Sequence, residues 1–179
     1  MKTKLSRGAV LAALLLASLS LSDSAVTGLA AQRRPARGRA RPSRICHDPT
    51  VACQTPTEFQ PNDLRFELPP RAVIWETQEF YAVILKSVSA RAEDDCETFV
   101  PEDERLAAQK LFPRSKVFAS RCNEPASVYY TNTAPTQRFM ALYAGRTRAE
   151  AEKTLAAVKA TGKFPGANLR RLRAGFNGT

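Results

Sequence analysis

The stretch RFMALYAGRTRAEAEKTLAAVKATGKFPGANLRRLRAGF, from Arg138 to Phe176, changes its apolar period twice. Alternation over Arg138–Ala144 predicts a strand. Thr147 and Glu150 then have the T-x-x-E spacing of a capping box, in which the hydroxyl takes a first-turn N–H and the carboxylate reaches back. Ala151, Leu155 and Val158 recur on one helical face, and Gly162 suits a left-handed helix end. Alternation returns in LRRLRAGF. A chain that switches from period two to period 3.6 and back can hardly be all-helical or all-β; it must build a β-α-β unit.

A second unit of the same plan precedes it. FYAVILKSV, within residues 72–88, is β-branched and aromatic and apolar on both faces, as a central strand would be. PEDERLAAQKLFP follows as a helix, with Pro101 at its start, acids in its first turn and Pro113 ending it. KVFASRC (116–122) is the next strand, and NEPASVYYTNTAPTQ is a turn-rich connection with an extended piece at Val128–Tyr130. Two tandem units with right-handed crossovers predict a ferredoxin-like βαββαβ domain of the α+β class. Its four-stranded antiparallel sheet would carry both helices on one face.

The rest of the chain divides by composition. Residues 1–30 have a basic start, an apolar run from Gly8 to Leu21 and a small-residue end at Gly28 and Ala30, the build of a secretory signal peptide. The run is shorter than a membrane-spanning helix needs, so no integral span is expected after cleavage. Residues 31–45 are an Arg/Pro-rich segment expected to be a disordered linker. Residues 46–77 read as an irregular, disulfide-tied lead-in, and 78–179 as the folded domain.

The net charge of +10 is localised. Of 27 Lys/Arg and 17 Asp/Glu, nine bases and one acid fall in the first 44 residues, leaving 18 against 16. A near-neutral domain in an exported chain argues against nucleic acid as a partner and leaves an anionic envelope surface as a target for the tail. The four cysteines, Cys46, Cys53, Cys96 and Cys122, predict two disulfides with three possible connectivities. A short Cys46–Cys53 loop would leave Cys96 and Cys122 to clip the domain. The single histidine, His47, and the lack of a CxxC pair argue against a metal site.

No convergent set of reactive groups stands out. One histidine supports no Ser-His-Asp arrangement, the cysteines are better used as disulfides, and YAGRT is no phosphate loop. The acids of AEDDCETFVPEDE, with Asp94, Asp95 and Glu97 as the one conceivable cleft, sit where acids favour a helix start. The expectation is a non-enzyme with no catalytic residue, metal or cofactor.

Binding is then expected on the sheet face that carries no helix. With Val83 and Leu85 turned to the helices, Ile84 and Lys86 face outward. With Met140 and Leu142 inward, Phe139 and Tyr143 face outward. Leu172, Ala174 and Phe176 share the inner side, so Arg171 and Arg173 share the outer one. Lys86, Phe139, Tyr143, Arg171 and Arg173 are the candidate ligand contacts.

RFMALYAG, AEAEKTLAAVKATG and ANLRRLRAGF, following a signal sequence and a linker, resemble the second unit of SPOR (sporulation-related repeat) domains of bacterial envelope proteins; the likeness covers about residues 78–177. The resemblance implies binding of peptidoglycan glycan strands stripped of their stem peptides, through the sheet face, in a periplasmic or secreted protein. Cations could pair the glycan's lactyl carboxylates, and Tyr143 or Phe139 could stack on sugar faces. The chain departs from the family in the first strand, where Ile84, Lys86, Ser87 and Val88 leave only the serine in common. The rival expectation is an envelope protein–protein module using the same sheet face or Tyr129–Tyr130.

Overall fold

The structure, a computed structural model, describes residues 43–50, 55, 57–122 and 127–179. The expected signal peptide and most of the linker lie outside the described residues, as does Cys53. In chain order the elements are β1 (Ile74–Glu76), β2 (Phe80–Ser89), α1 (Glu102–Leu111), β3 (Val117–Ala119), β4 (Ser127–Tyr130), β5 (Gln137–Gly145), α2 (Arg148–Ala160), β6 (Asn168–Leu172) and β7 (Ala174–Asn177).

The fold is α+β with two helices and two antiparallel sheets. One sheet has four strands in the order β3-β5-β2-β6, and the other has three in the order β1-β7-β4. The expectation of a single sheet is therefore corrected. LRRLRAGF is not one strand. It divides at Arg173, with β6 paired to β2 and β7 paired to β1 and β4. Thr77 fixes the transfer, because its N–H donates to the Ala174 carbonyl at 2.8 Å and its hydroxyl accepts the Ala174 N–H at 3.1 Å.

Local chemistry explains the elements. Gly145 ends β5 at φ 105°, a conformation that L side chains rarely adopt. The turn there brings Glu150 Oε2 within 3.0 Å of the Arg146 and Thr147 N–H groups, while the Thr147 hydroxyl accepts the Glu150 N–H. The capping box at α2 is thus complete. In the second sheet, Gly175 of β7 lies opposite Tyr129 of β4. A Cβ there would come within 2.1 Å of the Tyr129 ring. The ring crosses the bare backbone, and its hydroxyl donates to Glu76 Oε1 of β1 at 3.2 Å.

The four-stranded sheet is buried on both faces. On one side Val83, Leu85, Met140 and Leu142 meet Ala108 of α1 and Ala151 and Val158 of α2. On the other, Phe80, Ala82, Ile84, Phe118, Phe139, Ala141 and Tyr143 meet Leu64, Phe66 and Leu68 of the lead-in together with Val128, Tyr130, Ala174 and Phe176 of the second sheet. Each fully buried large side chain contributes about 1.5–3 kcal/mol, so this second core supports the fold as much as the first does. The lead-in is held by backbone bonding as well: Cys46 N–H donates to Arg65 at 2.7 Å and Glu67 N–H to Arg44 at 3.0 Å, around an Ile45–Phe66 bridge.

Candidate functional site

The covering layer removes most of the surface expected to bind. Phe139 and Tyr143 do lie on the face away from the helices, but only 3% and 6% of their surface is exposed. Phe139 packs edge-on against Phe118 and Tyr130. Tyr143 sits on Phe80 and under the lone histidine, His47, whose ring stacks on it at 4.4 Å and 19°. Burial pushes the Tyr143 phenol up from its ordinary range. Tyr143 is a core residue, and Phe139, almost wholly buried, contributes only to the lining of one notch at the edge of the cover.

The three candidate cations are elsewhere. A bulge between Ile84 and Lys86 breaks the alternation of β2. Lys86 consequently turns to the helix side and pairs with Glu104 of α1 at 2.7 Å. Arg171 lies opposite Tyr81, and Leu169 opposite Val83; Tyr81 and Leu169 both pack on the helix-side core, so Arg171 shares that side. It pairs with Glu79, and Arg173 pairs with Glu76 at 3.3 Å. The facing of the last strand is therefore the reverse of the expected one. Leu172, Ala174 and Phe176 are indeed buried, but in the core remote from the helices. Apolarity alone could not say which of two cores would take them.

The acidic loop is organised for folding. Asp95 accepts N–H groups from Arg91, Glu97 and Thr98 and the Thr98 hydroxyl. These bonds, that from Arg91 foremost, hold its carboxyl down to about 2. Arg138, 8% exposed, ties the loop to β5 through the carbonyls of Glu93 and Asp95 at 2.8 and 3.3 Å. Cys96 and Cys122 form a disulfide between this loop and the end of the β3 segment, and Cys46 is also disulfide-bonded. Among the described residues no three His, Cys, Asp or Glu side chains are placed to hold a metal ion.

A buried polar clasp joins the lead-in to the domain. Burial pushes the Asp63 carboxyl up to about 6 and the Lys116 ammonium down to about 8, the latter with help from the nearby charges of Arg105 and Arg65. Lys116 caps the Pro61 carbonyl, and Asp63 accepts the Gln60 N–H at 3.1 Å. Arg105, only 3% exposed, donates to the Val117 carbonyl and to Glu102, and Glu102 also pairs with Arg121 at 2.9 Å. Asp63, Lys116, Arg105, Glu102 and Arg121 each have a hydrogen-bonded partner, and the shifts record the closing of one segment over another.

Two concave surfaces remain. Where the cover stops, a notch of about 140 Å³ is floored by Ile84 and Phe139 and rimmed by Ser87, Thr133, Gln137, Asn168 and Arg170. It is the uncovered end of the face first expected to bind. Of the earlier candidates it holds Phe139 alone. Arg170 and Asn168 were missed because the last strand was read with its faces exchanged. Arg170 makes no ion pair among the described residues. On the opposite side of the sheet a groove follows α1, with a hollow of about 590 Å³ between α1 and the 163–166 turn and one of about 450 Å³ between the end of α1 and α2, Leu111 lining both. No family model, no curated protein and no solved structure matches the chain.

Proposed function

We propose that this chain is an exported, non-catalytic binding protein of the cell envelope that recognises peptidoglycan glycan, reading a single anionic sugar in the notch rather than a strand laid along the sheet. The order β3-β5-β2-β6 puts the first and third strands of the repeated units in the middle, which supports a ferredoxin-like, SPOR-like reading of that sheet. The covering layer argues against an extended glycan on its free face, and equally against a partner protein docked there.

The observation that carries the proposal is the chemistry of the notch. An aromatic and aliphatic floor lies beneath neutral hydroxyl and amide groups, with one guanidinium, Arg170, that makes no ion pair among the described residues. Sugars present apolar ring faces and hydroxyl edges in that combination, and a lactyl carboxylate would take the Arg170 fork. A disulfide within the domain suits an oxidising compartment. No helix among the described residues is long and apolar enough to cross a membrane.

Retention on purified sacculi, with and without amidase treatment, tests the proposal. The protein should be retained more strongly after amidase has removed stem peptides, and Arg170→Ala with Asn168→Ala should abolish the difference. Equal retention of the variant, or none of the parent on amidase-treated material, would sink it.

A further inference from the structure

Charged and apolar groups are arranged differently on the helix side. We infer that the groove along α1, bounded on its other side by α2 and the 163–166 turn, docks an acidic amphipathic segment of a partner protein. The two helices do not close on each other. Ala107 of α1 lines one hollow and Ala157 of α2 the other, and both of these small side chains stay exposed. Met140 floors the hollow beside the 163–166 turn and Leu142 the hollow beside α2. Leu111 lines both hollows and is 39% exposed, a large apolar side chain held at the groove's edge.

The rim decides the kind of occupant. Lys163, Lys153 and Arg114 line it and make no ion pair among the described residues, and the single acid lining it, Glu104, is engaged by Lys86. An apolar trough flanked by cations fits a segment whose leucine-type side chains recur along one side and whose other side carries Asp or Glu. A second copy of this chain meets the groove less well, since a two-fold contact would bring the same basic rim against itself. The hollows fall in the size range of preformed ligand sites. The surface is separate from the notch, which lies across the sheet, so the inference stands apart from glycan binding.

The test uses the oxidised protein purified from the periplasm of an expression host. The probe is a synthetic 16-residue peptide with leucines at helical i, i+3, i+4 and i+7 spacing and glutamate elsewhere. A lysine-for-glutamate version of the same peptide is the control. The glutamate peptide should bind with salt-weakened affinity and perturb the NMR signals of Met140, Leu111 and Ala157. Lys153→Glu with Lys163→Glu should lower its affinity on the order of tenfold, while Arg170→Ala should leave it unchanged. Both charge-reversed positions are exposed, and an unaltered circular dichroism spectrum would confirm that the variant is folded. Binding of both peptides alike, signals perturbed only outside the groove, dimerisation through the groove, or displacement of the peptide by anionic lipid vesicles would each overturn the inference.

Discussion

Replacing Phe66 with alanine asks whether the layer over the second face of the sheet belongs to the fold or is a dispensable flap. Phe66 is fully enclosed, meets the Phe59 ring edge-on at 5.3 Å and belongs to the cluster that includes Phe80, Phe118 and Tyr143. Truncating a phenylalanine in such a place costs about 3–5 kcal/mol, because the site cannot collapse around the cavity. The pleated sheet beneath is fixed by pairing on both sides, so little relaxation is available. Against a total of about 5–15 kcal/mol for a domain, that is about a fifth or more of the stability, and a fall in Tm on the order of 10–20 °C.

Urea unfolding provides the measurement. The single tryptophan, Trp75, packs partly buried against the same cluster, so its fluorescence reports the cover, while far-UV circular dichroism reports the whole chain. If cover and sheet form one cooperative unit, the two signals should change together in the parent protein. Phe66→Ala should lower the midpoint without changing the slope. A loss under about 1 kcal/mol, or a fluorescence transition that precedes the loss of helix and sheet, would refute the argument. The free face would then be available to a ligand after all.

Three further outcomes are expected. Asp63→Asn should alter the pH profile of stability. With the folded carboxyl near 6 and an unfolded value near 3.9, the stability this group contributes is complete below about pH 4 and lost as pH rises through 6. The variant should therefore flatten the profile over that window and be more stable at pH 7, on the order of 2–3 kcal/mol; urea midpoints from pH 4.5 to 7.5 check this, and a slope equal to the parent's would count against it. Gly175→Ala should cost about 1–3 kcal/mol by overpacking against Tyr129, and adding Tyr129→Ala should recover part of it. A double-mutant cycle with no coupling would reject the contact. Arg171→Ala with Arg173→Ala should change thermal stability by under about 1 kcal/mol, since both ion pairs are exposed, and should leave sacculus retention intact.

Much of the local structure was legible. The capping box at Thr147, the turn at Gly145, both helices and the four strands of the larger sheet follow from period, caps and breakers, because those rules act within a few residues. What was not legible depended on partners distant in sequence. The bulge that turns Lys86 to the helices leaves no mark in FYAVILKSV, and a single extra residue there reverses the meaning of every position beyond it. The division of the last strand at Arg173 depends on Thr77, just past β1, and on Tyr129 of β4, both distant in sequence.

One signal was available. A central strand that is apolar on both faces does not leave one face bare, because Phe80, Ile84, Phe139 and Tyr143 would expose more contiguous apolar surface than a soluble domain tolerates. Leu64, Phe66 and Leu68 alternate in the lead-in, as do Val128 and Tyr130 in the connection. Those residues belong to neither β-α-β unit, and they too needed somewhere to be buried. Matching the two unsatisfied surfaces predicts the second core without any coordinates. It also changes where function is to be sought. When both faces of a sheet are filled, concave surface is left where packing does not close: the end of the cover, at Ile84 and Arg170, and the hollows along α1, floored by Met140 and Leu142.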